Sequence, residues 1–240
     1  MKLTRVKGPG EAFLTNLGTI IGTLRPPVRG SSLVPNAAAT HVSIVAITST
    51  VARIVFGTLT DMVAPAPTSP HLQSASNSLA SLPPRNRRYN LSRVNFLIFA
   101  AFILFLGQII MASGAIQNHT ERFWIVSTLV GSGYGALFSL LPLIITVIWG
   151  VENFGTNWGI VAMVPAAGAT VWGIIYAKVY QWGVNRSSYG SGAGEDIMCY
   201  GKECYEITFW AMAVSVAIGS GLWIWAWKGP DGWSRRGIAV

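Results

Sequence analysis

Hydrophobic residues in this chain are gathered into five long runs that are separated by polar segments. A bilayer core about 30 Å thick is crossed by roughly 20 helical residues, and each run has or nearly has that length with almost no charge inside it. A spanning segment must satisfy its backbone internally, so runs of this kind are predicted to be transmembrane helices. The predicted spans are His41–Leu59, Asn95–Ser113, Phe123–Trp149, Trp158–Trp182 and Thr208–Trp227.

A sixth apolar run, Glu11–Leu24, is shorter than the others and follows the sequence Gly-Pro-Gly. Its length alone would not cross a bilayer comfortably. A secretory signal peptide is one interpretation, because a basic start and a short apolar run are typical of that class. Polar residues inside the run and the lack of a clean cleavage site favour the other interpretation, a shortened transmembrane helix.

Composition agrees with a membrane protein. The chain is 51% hydrophobic and only 11% charged, against about 25% charged residues in an ordinary soluble domain. Tryptophan is abundant, with 10 copies, and several stand at the ends of the runs, where aromatic side chains lie at headgroup depth. We therefore predict an all-α, multi-pass membrane helix bundle whose first partner is the lipid bilayer.

The net charge of +8 is explained by topology rather than by nucleic-acid binding. The basic residues alternate with the predicted spans, and ten fall on one side of the membrane against six on the other. Since basic excess marks the cytoplasmic face, both termini are predicted to be cytoplasmic. The ten are Lys2, Arg5, Lys7, Arg85, Arg87, Arg88, Arg93, Lys228, Arg235 and Arg236.

These elements divide the chain into four parts. Residues 1–63 hold the first helix pair, and residues 94–227 hold a four-helix transmembrane segment. Residues 64–93 are rich in Pro, Ser, Ala and Asn, with too little apolar surface to offset the entropy of ordering, and are predicted to be a disordered cytoplasmic loop. Residues 228–240 are predicted to be a cytoplasmic tail.

The two cysteines, Cys199 and Cys204, both fall in the predicted non-cytoplasmic loop Gly183–Glu206. That side of a membrane permits disulfides, so we expect them to be bonded to each other. Two cysteines with distant histidines make a poor metal site, and neither a metal nor a cofactor is predicted. Of three glycosylation sequons, Asn185 is the candidate acceptor, because Asn90 faces the cytoplasm and Asn118 lies against the bilayer.

Catalytic motifs are absent from the sequence: it has no P-loop, no HExxH and no Ser/His/Asp set. An intramembrane enzyme is therefore not expected. The glycines and alanine of the later spans indicate close helix packing, and two prolines are predicted to interrupt their spans. The small residues are Gly131, Gly133, Gly135, Ala169 and Gly173, and the prolines are Pro142 and Pro165.

The second span carries the one arrangement of charge with chemical interest. Arg53, Gly57 and Asp61 are spaced by four and share one helix face. Gly57 would admit a neighbouring helix, and Asp61 would end the helix at the cytoplasmic surface. An arginine two turns inside a membrane faces a cavity or an opposite charge. Arg53 could therefore serve a substrate path, reach the interface, or pair with Asp61 structurally.

Four stretches, in order along the chain, resemble one branch of the major facilitator superfamily, the nodulin-like and monocarboxylate-permease-like transporters. RIVFGTLTD, at residues 53–61, is similar to the G-x-x-x-D loop motif that follows the second helix of a six-helix half, with Gly57 and Asp61 in the motif positions. GPGEAFLTNLGTIIGTL resembles the seventh helix of that branch. FGTNWGIVAMVPAAG resembles the start of the eleventh, and CYGKECYEITF the approach to the twelfth.

The resemblance implies one six-helix half, the C-terminal one, of a twelve-helix fold whose first helix is truncated here. It implies alternating access by a secondary transporter in the vacuolar membrane, with Arg53, Asn16 and Tyr134 as substrate-path residues and a small solute, such as an organic anion, as substrate. The missing N-terminal half would be a partner. The basic residues that usually follow the motif's aspartate are absent, since Met62 and Val63 stand there. The alternative is a non-transporting membrane fragment or a helix-interaction module.

Overall fold

The structure of the chain, a computed structural model, describes residues 8–24, 37–63, 91–188, 199–230 and 232–235. Its regular structure in these ranges is helical. Two short helices begin the described chain, and five longer ones follow. They are α1 (Gly8–Thr15), α2 (Leu17–Thr23), α3 (Ala37–Val63), α4 (Arg93–Ala112), α5 (Phe123–Trp149), α6 (Phe154–Ser188) and α7 (Glu206–Lys228).

The five long helices coincide with the five predicted spans, and each is long and apolar enough to cross a membrane. The prediction of an all-α, multi-pass membrane bundle is confirmed. The predicted domain limits stay a prediction, and residues 64–90 of the proposed loop lie outside the described ranges. The last residue of that loop, Arg93, is the first residue of α4, which is capped by the Ser92 hydroxyl accepting a bond from the Val94 amide at 3.2 Å.

The short first run is helical from Gly8, but it is not one continuous helix. Asn16 separates α1 from α2 with φ −107° and ψ 11°. Its side-chain Nδ2 donates to the Ala12 carbonyl at 2.9 Å, and its backbone amide donates to the same oxygen at 3.2 Å. An asparagine amide competes for backbone partners within a helix, which accounts for the irregular turn.

Three predictions for the third and fourth long spans were wrong. Helix α6 extends to Ser188, so residues assigned to the loop at Gly183–Glu206 form its last turns. The helix continues through Gly183, whose missing side chain makes room for the disulfide: a Cβ there would lie 2.6 Å from Cys199 Sγ. Pro165 in α6 and Pro142 in α5 also do not interrupt their helices.

Helix α5 is the centre of the bundle, packed between α3 and α4, with α7 behind α4 and α1 against α6. Glycines make this possible. A Cβ on Gly135 would lie 2.7 Å from Ser49 Cα in α3, and one on Gly133 would lie 2.8 Å from the Leu104 amide nitrogen in α4. The predicted close packing is therefore present at these glycines, whereas Gly173 of α6 faces no atom within 4 Å.

Burial differs sharply among the five spans. In the most apolar stretch of α5, 50% of the residues are buried inside the structure, against 22% in α3 and 11% in α6. Helices α3 and α6 thus present most of their apolar surface outward, while α5 serves as the core. The polar side chains described next lie where α1, α3 and α5 meet.

Candidate functional site

A cluster of four side chains joins three helices near the middle of the bundle, and we call it the central cluster: Glu11, Arg53, Tyr134 and Phe138. The Tyr134 hydroxyl of α5 donates a hydrogen bond to the Glu11 carboxylate of α1. The Tyr134 and Phe138 rings are 4.6 Å apart between centroids. The Arg53 guanidinium of α3 lies 5.6 Å from the centre of the Phe138 ring, within the range of a cation–π interaction.

Local packing explains how these side chains are positioned. Gly10, next to Glu11, lies so close to Tyr134 that a Cβ there would be 2.6 Å from the Tyr134 ring. The Ser139 hydroxyl donates to the Arg53 carbonyl at 3.3 Å and links α5 to α3. Tyr134 is eleven residues after Phe123, the first residue of α5, or about 16 Å along the helix at about 1.5 Å per residue. The cluster therefore lies beside the middle of this 27-residue helix, well away from both of its ends.

The sequence-predicted site residues are only partly brought together. Arg53 and Tyr134 belong to one cluster, while Asn16 is half-buried at the break between α1 and α2. Asp61 is exposed at the end of α3, and Gly57 lies against α5, where a Cβ would be 3.4 Å from the Ser139 hydroxyl. The pairing of Arg53 with Asp61 stays a prediction.

Two members of the cluster, Glu11 and Phe138, were missed by sequence reasoning. Glu11 precedes Tyr134 by 123 residues, and no spacing rule relates residues so far apart. A signal was nevertheless present, since an acid within an apolar run is costly in lipid and marks a functional candidate. Phe138 is one helical turn from Tyr134 and would follow from that spacing once Tyr134 is chosen.

A second group of contacts, the disulfide-end network, ties the ends of four helices together. The Thr23 carbonyl at the end of α2 accepts bonds from Gln117 Nε2 and the Gly201 amide, both at 3.1 Å. The Tyr205 hydroxyl donates to Gln117 Oε1 at 2.9 Å. Burial raises the pKa of Tyr205 to about 12, so this hydroxyl keeps its proton for that bond at physiological pH.

The two cysteines belong to this network. Cys199 and Cys204 are joined by a disulfide with their Cα atoms 6.0 Å apart, and both are buried. The bridge rests on Gly183 of α6, and the Cys199 amide donates to the Tyr180 hydroxyl of the same helix at 3.2 Å. The glycosylation candidate Asn185 is exposed in the last turn of α6. In the part of the chain that the structure describes, no group of acidic, histidine and cysteine side chains could hold a metal ion.

The arrangement defines a class of protein: a multi-pass membrane protein with charged side chains on its apolar helices. Comparison with known proteins narrows the class. A protein of Neurospora crassa named "Probable transporter mch1" is 58% identical over 97% of this chain. Proteins with the same name from Gibberella zeae and Aspergillus fumigatus are 53% and 45% identical, each over 98% of this chain.

The chain belongs to this family of fungal probable transporters and corresponds to the C-terminal half of its members. It spans 38% of the length of the Neurospora relative and 41% of the Gibberella relative. The three relatives are named as transporters and not as enzymes. No protein-family model matches the chain, and no solved structure matches it.

Proposed function

We propose that this chain forms the C-terminal half of a secondary transporter of the major facilitator type. A second helical bundle, supplied by the part of the relatives that this chain does not span, would pack on its exposed apolar faces. The observation that carries the proposal is the central cluster, because charged side chains inside a membrane protein face cavities or solute paths. Alternating access would follow from rocking of the two bundles about this midplane site.

The proposed substrate path is lined by α1, α2, α3, α5 and α6. Arg53 would bind a carboxylate or another anionic group of a small organic solute, since a guanidinium pairs with carboxylates through two parallel hydrogen bonds. Tyr134 and Asn16 would add neutral hydrogen bonds. The Asn16 Nδ2 is already used within its own helix, so its Oδ1 is the atom proposed to face a solute.

Gly57 and Asp61 are proposed to act at the cytoplasmic gate. Gly57 permits the approach of α5 to α3, and the Asp61 carboxylate at the end of α3 would exchange partners between the two access states. We expect Asp61→Asn to slow transport while leaving the amount of inserted protein unchanged. Reduced abundance with unchanged transport per molecule would contradict a gating role.

The proposed location is the vacuolar membrane, with both termini in the cytoplasm and the disulfide end in the lumen. The basic bias along the sequence supports this orientation, as does a buried disulfide, which an oxidising compartment favours. Asn185 would then face the side on which glycosylation occurs. Labelling of a cysteine placed at Ser76 tests the orientation: reaction only from the lumenal side would contradict it.

Transport is tested by uptake into vesicles that contain the complete protein carrying this chain. Radiolabelled organic acids and amino acids would be screened, with uptake divided by the amount of inserted protein. We expect saturable uptake of at least one carboxylate-bearing solute, and strong loss of that uptake in Arg53→Gln. A correctly inserted protein that moves none of these solutes would contradict the proposed function and favour a helix-interaction role.

A further inference from the structure

The central cluster contains one positive and one negative side chain, which approach it from different helices. Glu11 comes from α1 and Arg53 from α3, and two neighbouring aromatic residues of α5 contact one charge each: Tyr134 contacts Glu11, and Phe138 contacts Arg53. Glu11 accepts a bond from a neutral hydroxyl, and Arg53 lies over a neutral ring. Neither charge belongs to an ion pair of the described residues.

Two separated opposite charges favour a solute with the same property. Arg53 is exposed on this half of the bundle and Glu11 is half-buried. When the membrane or a second bundle keeps water away from them, each charge is costly unless it meets an opposite charge. A simple carboxylate would neutralise Arg53 but would bring a second negative charge near Glu11. A simple amine would do the reverse near Arg53. A solute that carries both charges can satisfy both side chains without leaving an excess of either sign.

We propose that the central cluster binds a zwitterionic amino acid, with its carboxylate on Arg53 and its ammonium group on Glu11. This inference rests on the proposed transport function and names its substrate class. The apolar part of the solute lies against the Tyr134 and Phe138 rings, which offer an aromatic surface between the two charges. The Tyr134 hydroxyl holds the Glu11 carboxylate in place for the ammonium group.

The two charges are farther apart than an ion pair, as a bridging solute requires. A charged hydrogen bond at each end is about 2.8 Å long, and the carboxylate and ammonium groups of an α-amino acid add about 3 Å, so the bound molecule bridges roughly 8–9 Å. The gap is wider than 4 Å, because Glu11 and Arg53 form no ion pair. It is crossed by an aromatic pair with 4.6 Å between the ring centroids.

The test compares three solutes of the same shape and different charge. Phenylalanine carries both charges, 3-phenylpropionate lacks the ammonium group, and 2-phenylethylamine lacks the carboxylate. Uptake of each is measured in vesicles that contain the complete protein, divided by inserted protein. We expect phenylalanine to be taken up at least about tenfold faster than either analogue, since a hydrogen bond to a charged group contributes about tenfold or more in affinity.

Variants connect the preference to Glu11. In Glu11→Gln the preference for phenylalanine over 3-phenylpropionate should fall by about tenfold or more, because the amide carries no charge for the ammonium group. Glu121→Gln is the matched control: it removes an exposed acid that pairs with His119 at 3.0 Å outside the cluster, and the preference should not change. A preference that survives Glu11→Gln intact would overturn the inference.

Two further outcomes separate this inference from the proposed function. Uptake of 3-phenylpropionate at a rate equal to or above that of phenylalanine would overturn the zwitterion inference and leave a carboxylate transporter standing. Absence of uptake for all three solutes, when other organic acids are taken up through Arg53, would also overturn it alone. Failure of every solute in the wider screen would overturn both.

Discussion

The disulfide-end network and the central cluster are held together by different kinds of contact. In the disulfide-end network, most hydrogen bonds involve backbone groups, such as the Thr23 carbonyl and the Gly201 and Cys199 amides, and a covalent bridge is added. In the central cluster, the links between α1, α5 and α3 through Tyr134 and Phe138 are made by side chains alone.

This difference suits different tasks. Buried backbone groups must keep partners, so a network built on them resists rearrangement. Side-chain contacts can be exchanged for contacts with a solute without breaking a helix. We infer that the disulfide end holds the helices in register, while the central cluster is free to change partners during transport.

The largest effect is expected on transport from Arg53. Arg53→Gln should reduce carboxylate-dependent uptake about 100-fold, because bonds to a charged group contribute up to about 3 kcal/mol. Arg53→Lys should reduce it about tenfold, since an ammonium group cannot make the bidentate contact. Neither change should lower the thermal stability of the purified protein. A stability loss with normal uptake per inserted molecule would place Arg53 in the structural part instead.

The disulfide should affect stability and leave the central cluster unchanged. Closing a loop as short as Cys199–Cys204 contributes roughly 2 kcal/mol in the chain-entropy treatment, and the double variant Cys199→Ser with Cys204→Ser should lose about that much. Hydrogen exchange should rise at the end of α6 and at residues 199–206. An equal rise in hydrogen exchange around Tyr134 would show that the two regions are coupled, which would contradict their separate roles.

The close contact between Gly135 of α5 and Ser49 of α3, next to the central cluster, should be sensitive to one added methyl group. Gly135→Ala should lower stability by about 1–3 kcal/mol, because the new Cβ overlaps the α3 backbone at Ser49 and overpacking has costs of this size. Gly173→Ala is the control. It meets no atom within 4 Å and should be neutral or stabilising by up to about 1 kcal/mol, as alanine favours helix. Equal changes in stability for Gly135→Ala and Gly173→Ala would contradict the close packing of α5 against α3 at Gly135.

The smallest effect is expected from one hydroxyl of the disulfide-end network. Tyr205→Phe removes the bond to Gln117 and should cost about 1 kcal/mol, measured by thermal unfolding in detergent. Because burial raises the pKa of Tyr205 to about 12, this contribution should be fully present at neutral pH and should be lost as the pH rises from the ordinary tyrosine pKa of about 10 towards 12. Altered substrate preference in this variant would contradict a purely structural role.

The number and location of the long helices could be predicted from sequence. Each apolar run is a local property, and the absence of water in a bilayer leaves the helix as its one outcome here. The end of α6 could not be predicted in the same way. Gly183 looks like a helix end in sequence, yet the disulfide fills the space beside it, and that contact depends on residues from the following loop.

The break at Asn16 and the continuity of α5 and α6 through Pro142 and Pro165 have the same explanation. The effect of a residue that disfavours helix depends on which hydrogen-bond partners the surrounding residues provide. At the break between α1 and α2, Asn16 Nδ2 donates a hydrogen bond to the Ala12 carbonyl of α1. Pro142 and Pro165 each lie inside a long helix that continues past them. A proline removes only its own backbone bond, and the rest of a long membrane helix still needs its internal bonds.

The apolar runs are enough to predict that this protein crosses a membrane, roughly where it does so, and that Arg53 and Tyr134 are polar groups within its spans. Only the packing of the helices brings Tyr134 to Glu11 and places Arg53 over the Phe138 ring. The physical reason is the range of the forces involved. Hydrophobic burial and backbone bonding act along one segment, whereas the partners of a buried charge are set by how separate helices pack.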